Sequence, residues 1–177
     1  MSEQRFVLAG VMGWPVAHTR SPVIHNHWIA KHGLKGAYVQ LPVQPDRLEA
    51  AIRGLPALGF AGCNITVPFK FDAFALAAVR TERAQLGGAV NALRFDDGGW
   101  VGDNTDGAGL VNDIQRNAGR SLAGLQVLLV GSGGAAAGVA ASISGAWTTA
   151  PRATNSATTA PPNPPMCLKT IASANTP

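Results

Sequence analysis

A chain of 177 residues is long enough for one ordinary domain, or one and a half small ones. Its 46% apolar content supports a buried core, and its formal charge of +4 comes from scattered Lys and Arg without a basic run, against a nucleic-acid or anionic-membrane role. Two cysteines without metal spacing, no apolar stretch near the ~20 residues a bilayer span needs, and no signal-peptide layout predict a cytoplasmic protein with neither membrane nor nucleic-acid partner.

Taken in chain order, strand and helix signals alternate. "RFVLAGVMG" reads as a buried strand. "SPVIHNHWIAKHG" follows as a helix, with Ser21 able to cap, Pro22 in the first turn and Gly33 just past the end. Its Val23, Ile24, Trp28 and Ile29 have the spacing of one helix face. "GAYVQLPV" is a second strand, and "PDRLEAAIRGLPALG" a second helix with Asp46 at its start and Pro56 near its end. "AGCNITV" is a third strand, "FKFDAFALAAV" a third helix, and "TERAQLG" a short helix capped by Thr81. "AVNALRFDDGGWVGD" reads as two short strands around a glycine-containing turn. "TDGAGLVNDIQRNAG" is a helix with Thr105 or Asp106 at its N-terminus, and "LQVLLV" is a buried strand. Repeated strand–helix units predict an α/β fold, with a parallel or mixed sheet covered by helices.

The composition breaks near Ala146. The 32 residues from Ala146 to Pro177 hold six of the chain's 12 prolines, and no Asp or Glu occurs after Asp113. With no helix or strand period, the segment is expected to be a largely disordered tail, because it has too little apolar surface to offset its ordering entropy.

Just before that break, "LQVLLVGSGGAAAG" sets Gly131, Gly133 and Gly134 between an apolar strand and an Ala-rich helix. Gly131-x-Gly133-x-x-Ala136 fits the glycine-rich turn that brings a pyrophosphate onto a helix N-terminus. The complete fingerprint also needs an acidic or basic residue ~20 residues on, at the end of a second strand. That distance falls in "TTAPRATN", where Arg152 stands without a strand before it.

Four polar stretches fall where strands end: "HTRSP", "NITVPFK", "AVN" and "GDNTDG". Ligands of open α/β sheets bind beyond the carboxyl ends of the strands, so Thr19, Ser21, Asn64, Thr66, Lys70, Asn91 and Asp106 are candidates to converge there. Hydroxyls, amides, one ammonium and one carboxylate suit a small polyhydroxylated acid. Helix capping and turn closure are the competing roles for most of these residues. Lys70 is harder to explain that way, being one of only four lysines and lying between Phe69 and Phe71; paired with a carboxylate it is a candidate general acid or base. His18, His25, His27 and His32 lack ligand spacing, and no metal site is expected.

"GWPVAHTRSPVIHN", "NITVPFK", "GAVNAL", "GDNTDG" and "VLLVGSGGAAAGV" together resemble the shikimate dehydrogenase family, in the same order, over roughly residues 5–145. The resemblance implies an NADP-dependent enzyme that reduces 3-dehydroshikimate to shikimate in aromatic amino-acid biosynthesis. It implies an N-terminal α/β substrate-binding sandwich over 1–101, then a linker helix and the first unit of an incomplete Rossmann-like NADP-binding domain over 102–145, with 146–177 as the tail. Lys70 and Asp106 would be the catalytic pair, and Thr19 and Ser21 would hold the substrate carboxylate. Asn64, Thr66 and Asn91 would contact the ring hydroxyls or support the groups that do. Gly131, Ser132, Gly133, Gly134 and Ala135 would form the pyrophosphate loop, with Glu82 near the cofactor.

Two departures from the family pattern carry expectations of their own. Threonine at position 19, where the family usually has serine, occurs in relatives that accept quinate. The Asn-Arg-Thr motif that reads the NADP 2′-phosphate has no counterpart, since Asn155 is followed by Ser156, and a late glutamine that closes on substrate is also missing. A frame shift or misassembly after about residue 145, weakened NADP binding and impaired catalysis are therefore expected. The alternatives are a non-catalytic shikimate-binding fragment and a quinate/shikimate dehydrogenase relative. Oligomeric state has no signal in the sequence.

Overall fold

The structure is a computed structural model that describes residues 6–96, 99–148 and 166–169. Strands β1 (Val7–Gly13), β2 (Gly36–Pro42), β3 (Phe60–Ile65), β4 (Val79–Arg80), β5 (Ala92–Asp96) and β6 (Gly99–Asp103) form one mixed sheet in the order β2-β1-β3-β5-β6-β4. β1 runs parallel to β2 and β3, whereas β5 is antiparallel to both β3 and β6. The helices are α1 (Ser21–Lys31), α2 (Leu48–Gly54), α3 (Lys70–Leu76), α4 (Glu82–Gly87), α5 (Asp106–Arg116) and α6 (Gly134–Thr148). The expected α/β fold is thus observed, and the antiparallel pair at β5 and β6 makes the sheet mixed.

Alternation along β1 sends Met12 and Val11 to opposite faces. Met12 joins Ile65, Phe69 and Leu93 in the main core beneath α2 and α3. Val11 joins Val16 and Tyr38 in a smaller core on the α1 side. The two faces are covered unequally. α1 contains no buried residue, and Val23, Ile24 and Trp28 are exposed; of the expected face, Ile29 packs against the smaller core. What fastens α1 to the sheet is instead polar: Asn26 on the helix donates to Tyr38 O at 2.8 Å and accepts from Tyr38 N at 2.9 Å.

Local signals explain most boundaries. Thr81 caps α4 through its Oγ1, which accepts from Ala84 N. Gly33 stands just past α1 with φ of 62°, as its position predicts. Ser21 does not cap α1. Arg20 occupies the cap position, and Ser21 lies inside the first turn with its Oγ accepting from Thr19 Oγ1. The third helix stops at Leu76, so that Val79, read as helical, instead starts β4 beside β6.

Beyond α5, β7 (Val127–Val130) and β8 (Met166–Lys169) form a separate parallel pair, with α6 between them in sequence. Two expectations are corrected here. β7 is not fully buried, because no second layer covers its outer face among the described residues: Leu128 and Val130 are exposed. A second strand does follow the glycine turn, since β8, within the stretch read as tail, pairs with β7 in the register Val130↔Lys169. The other tail residues, 149–165 and 170–177, lie outside the described residues.

Candidate active site

Three chain segments meet where β3 and β6 end. Lys70 is the first residue of α3, reached through the Val67–Pro68 turn after β3. Asp106 is the first residue of α5, reached from β6 through Asn104 and Thr105. Asn91 lies between α4 and β5.

Lys70 Nζ donates to Asp106 Oδ2 at 2.5 Å, and Asn91 Nδ2 donates to Asp106 Oδ1 at 2.8 Å. Both carboxylate oxygens are therefore engaged. The pair is partly enclosed, with 13% of the Lys70 side chain and 26% of the Asp106 side chain exposed. An ammonium held against a carboxylate beside open solvent is suited to deliver a proton to a ligand oxygen.

The second Nδ2 hydrogen of Asn91 goes to Thr105 Oγ1 at 2.9 Å, and its Oδ1 accepts from Thr105 N at 2.9 Å. Asn91 thus brackets the start of α5 and holds Asp106 rather than presenting a free amide. Asn104, which sequence reasoning did not single out, does the same from below. It is buried, donates through Nδ2 to Ala89 O at 3.0 Å, and accepts from Asp106 N at 3.2 Å.

The turn is locked by Asp103, whose Oδ1 accepts from Asn104 N and from Thr81 Oγ1. Burial acts to raise the Asp103 pKa. Hydrogen bonds from Arg83, Thr81 and the Asn104 N–H, with the Arg83 charge, outweigh burial and hold the carboxyl below its ordinary value.

The hydroxyl pair sits at the start of α1, with Thr19 Oγ1 donating to Ser21 Oγ at 3.1 Å and accepting from Ser21 N at 3.3 Å. Two hydroxyls held together in this way can receive a carboxylate. Asn64 is linked to the Asp106 cluster through Asn91, whose carbonyl accepts from Asn64 Nδ2 at 3.3 Å. Thr66 follows β3, its N–H donating to Met12 O at 2.9 Å. No hydrogen bond joins Thr19 or Ser21 to Lys70, Asn91 or Asp106 among the described residues.

The glycine turn reaches the same place. Gly131 has φ of 145°, a conformation that disfavours a side chain, and a Cβ on Gly133 would meet nothing within 4 Å. A Cβ on Gly134 would stand 2.7 Å from Lys70 Cβ, so the start of α6 rests on the stem of the site lysine. Ser132 is exposed, and Ala135 is half-buried in the first turn of α6. A 15-residue helix that starts at an open glycine turn offers backbone N–H groups to an anion, and these residues fit a pyrophosphate. Glu82 starts α4, is exposed, and makes no hydrogen bond to this turn among the described residues.

A cavity of ≈ 570 Å³ lies on the other side of Asn64, between α1 and the sheet, lined by Tyr38, His25, Trp28 and Val7. It excludes Lys70 and Asp106, so the largely apolar cavity and the polar cluster are neighbours sharing Asn64. Among the described residues no group of three His, Cys, Asp or Glu could hold a metal ion, and no helix is long and apolar enough to cross a membrane.

The family model for the shikimate dehydrogenase substrate-binding domain matches residues 11–93. The shikimate dehydrogenase (NADP(+)) of Paracoccus denitrificans is 48% identical over 138 residues, covering 77% of this chain and 49% of that protein. The corresponding protein of Methylibium petroleiphilum is 54% identical over 135 residues, covering 73% and 46%. Among solved structures, shikimate 5-dehydrogenase from Thermus thermophilus in complex with NADP(H) and shikimate aligns with a TM-score of 0.72 at 32% identity, covering 79% of this chain and 52% of that one. The chain spans about half the length of the curated relatives it matches. With its matched substrate-binding domain and its site cluster laid out on that domain's fold, the chain belongs to the shikimate dehydrogenase family.

Proposed function

We propose that this protein binds shikimate and 3-dehydroshikimate at the Lys70–Asp106 cluster and is built for their NADP-linked interconversion, a step of aromatic amino-acid biosynthesis. The observation that carries this reading is the 2.5 Å Lys70–Asp106 pair with Asn91 on the second carboxylate oxygen. In this reading residues 1–101 are the substrate unit and 102–145 the linker helix and first nucleotide-binding unit. The solved relative from Thermus thermophilus holds NADP(H) and shikimate together, and both ligands come to this chain as part of the proposal.

NADPH, when bound, supplies the hydride that converts a ring ketone to an alcohol. The chain's own residues do the rest. Thr19 and Ser21 receive the substrate carboxylate and set the ring's orientation. Lys70 gives a proton from Nζ to the carbonyl oxygen as negative charge develops there, and Asp106 stabilises the ammonium and keeps it aimed. Asn91 and Asn104 hold Asp106 so that it does not reorient. Gly131 to Ala135 present backbone N–H groups to the pyrophosphate.

Turnover by these 177 residues is low in this reading. The exposed Leu128 and Val130 of β7 leave the nucleotide unit with little apolar support, which favours substrate binding over catalysis. Thr19 in place of the family's usual serine extends the ligand range to quinate. The test is calorimetric titration of the purified chain with shikimate, run beside NADPH oxidation with 3-dehydroshikimate. Saturable binding with slow or no turnover is expected. Robust turnover would overturn the low-activity part, and absence of any shikimate binding would overturn the site assignment.

A further inference from the structure

The chain's single tyrosine, Tyr38, is held more firmly than packing alone requires. Its backbone is bonded in both directions to the Asn26 amide. Its ring lies against the His25 ring, with centroids 4.0 Å apart and planes 10° from parallel. His25 is in turn fixed by its Nδ1 contact with Ser21 O at 2.9 Å. The hydroxyl that this framework aims meets Asn64 Oδ1 at 2.6 Å. β2 is an edge strand, so the rigidity is supplied by α1, the helix that also starts at Ser21.

The partners of Asn64 decide which way its amide faces. One end lies 3.3 Å from Asn91 O, a carbonyl that can only accept, so that end is the NH2 group. The opposite end is therefore the oxygen, and the Tyr38 hydroxyl must donate to it. Burial, reinforced by nearby Cys63, pushes the Tyr38 phenol up to about 12, so it keeps its proton at any physiological pH. Asn91 spends both its amide hydrogens on Thr105 and Asp106. Asn64 uses one amide N–H on Asn91 O, and its second N–H has no hydrogen-bond partner among the described residues.

We propose that Tyr38 is a positioning residue which locks the Asn64 amide so that it presents a hydrogen-bond donor, and no acceptor, to the ring oxygens of a bound polyhydroxy acid. The role runs through Asn64; Tyr38 itself touches no ligand. Without the phenol hydroxyl, the Asn64 oxygen loses its only donor among the described residues, and the fixed choice between donor and acceptor is lost with it. This assignment rests on the proposed shikimate site, but the orientation of the amide does not.

Two measurements on the full 177-residue chain test it. In the first, shikimate affinity is compared for the parent, Tyr38→Phe, Asn64→Ala and the double variant. Tyr38→Phe keeps the ring stack and is expected to weaken binding about tenfold. In the Asn64→Ala background it is expected to add less than about twofold, because its action passes through the missing amide. A full tenfold effect in that background, or none in the parent, overturns the proposal. In the second, the Asn64 side-chain NH2 resonances are followed by NMR without ligand. Dispersed signals in the parent that move to averaged values in Tyr38→Phe support the lock, and unchanged signals overturn it. A parent that fails to bind shikimate would remove the proposed function, and the NMR result would then decide this inference by itself.

Discussion

The six-stranded unit and the β7–α6–β8 unit solve the same packing problem in different ways. In the first, a helix beside a sheet buries both: Met12, Ile65 and Leu93 from strands meet Leu48 and Ala73 from helices. In the second, α6 leans away from its own strands onto α4 and α5. A Cβ on Gly107 of α5 would stand 2.2 Å from Gly138 O, and one on Gly138 would stand 2.3 Å from Asn104 Oδ1. Meanwhile the outer face of β7 is left to solvent. The helix that follows the glycine turn is therefore placed by α4 and α5 rather than by its own strands, and its distance from Lys70 and Asp106 is set by close approaches that only glycine allows.

The sharpest way to break this contrast is in the first unit's core. Leu93 is 3% exposed and packs in the main cluster, so Leu93→Ala is expected to cost about 3 kcal/mol. Urea unfolding followed by circular dichroism measures it. A loss under about 1 kcal/mol would mean that this core is no better packed than the β7 region.

The docking of α6 is tested next. Gly107→Ala puts a methyl group against Gly138 O and Ser142 Oγ, and is expected to destabilise by about 2 kcal/mol while raising amide exchange in α6. Gly109→Ala, on the same helix with nothing within 4 Å of its Cβ, is the control and is expected to be neutral or slightly stabilising. Equal effects of the two would show that α6 is not held by α5.

These contacts also show where sequence reading stops. β1 to β3, the paired β5 and β6, and the helix starts at Thr81 and Asp106 were legible because alternation, capping chemistry and glycine turns act over a few residues. Lys70 and Asp106, 36 positions apart, were legible as a pair through the family motifs, and the fold brings them to 2.5 Å. The residues around them were not. Asn104 reaches Ala89 and Tyr38 reaches Asn64 through tertiary hydrogen bonds, and no local period marks a side chain whose partner is 26 residues away. Exposure of β7 was equally hidden, because an apolar run is the same whether or not a second layer covers it. The exposure of Val23, Ile24 and Trp28 on α1 has the same origin.

Alkaline pH sharpens the contrast within the first unit, where the ionisable core groups lie. Burial pushes the Cys63 thiol up to about 12, and Tyr38 is raised to about 12 as well. Raised acids contribute their full stability below their ordinary values and lose it as pH climbs toward the folded-state values. The unfolded chain releases these protons from about pH 9 for the thiol and pH 10 for the phenol, whereas the folded chain holds them to about 12. Stability is therefore expected to fall between pH 9 and 12, on the order of 1 kcal/mol per pH unit. Urea midpoints across that range measure it, with absorbance of the single tyrosine reporting phenolate. A flat profile, or a tyrosine that ionises near its ordinary value, would contradict the burial of this pair. At the other end, Asp103 has its pKa lowered and lends stability above about pH 4, lost as pH falls through its folded-state value.

The smallest effect belongs to the second unit. Leu128 on β7 is 58% exposed, so truncating it removes little surface that folding had taken from water. Leu128→Ala is expected to change stability by no more than about 0.5 kcal/mol, against about 3 for the same change at Leu93. Both leucines lie on strands and both are invisible to any rule based on composition, so the ratio isolates burial. Thermal unfolding of the two variants under one buffer provides the comparison. A Leu128→Ala cost approaching that of Leu93→Ala would require β7 to be covered in solution, and the second unit would then have a second layer after all. A negligible cost leaves α6 as the part of the second unit, among the described residues, whose position the rest of the protein enforces.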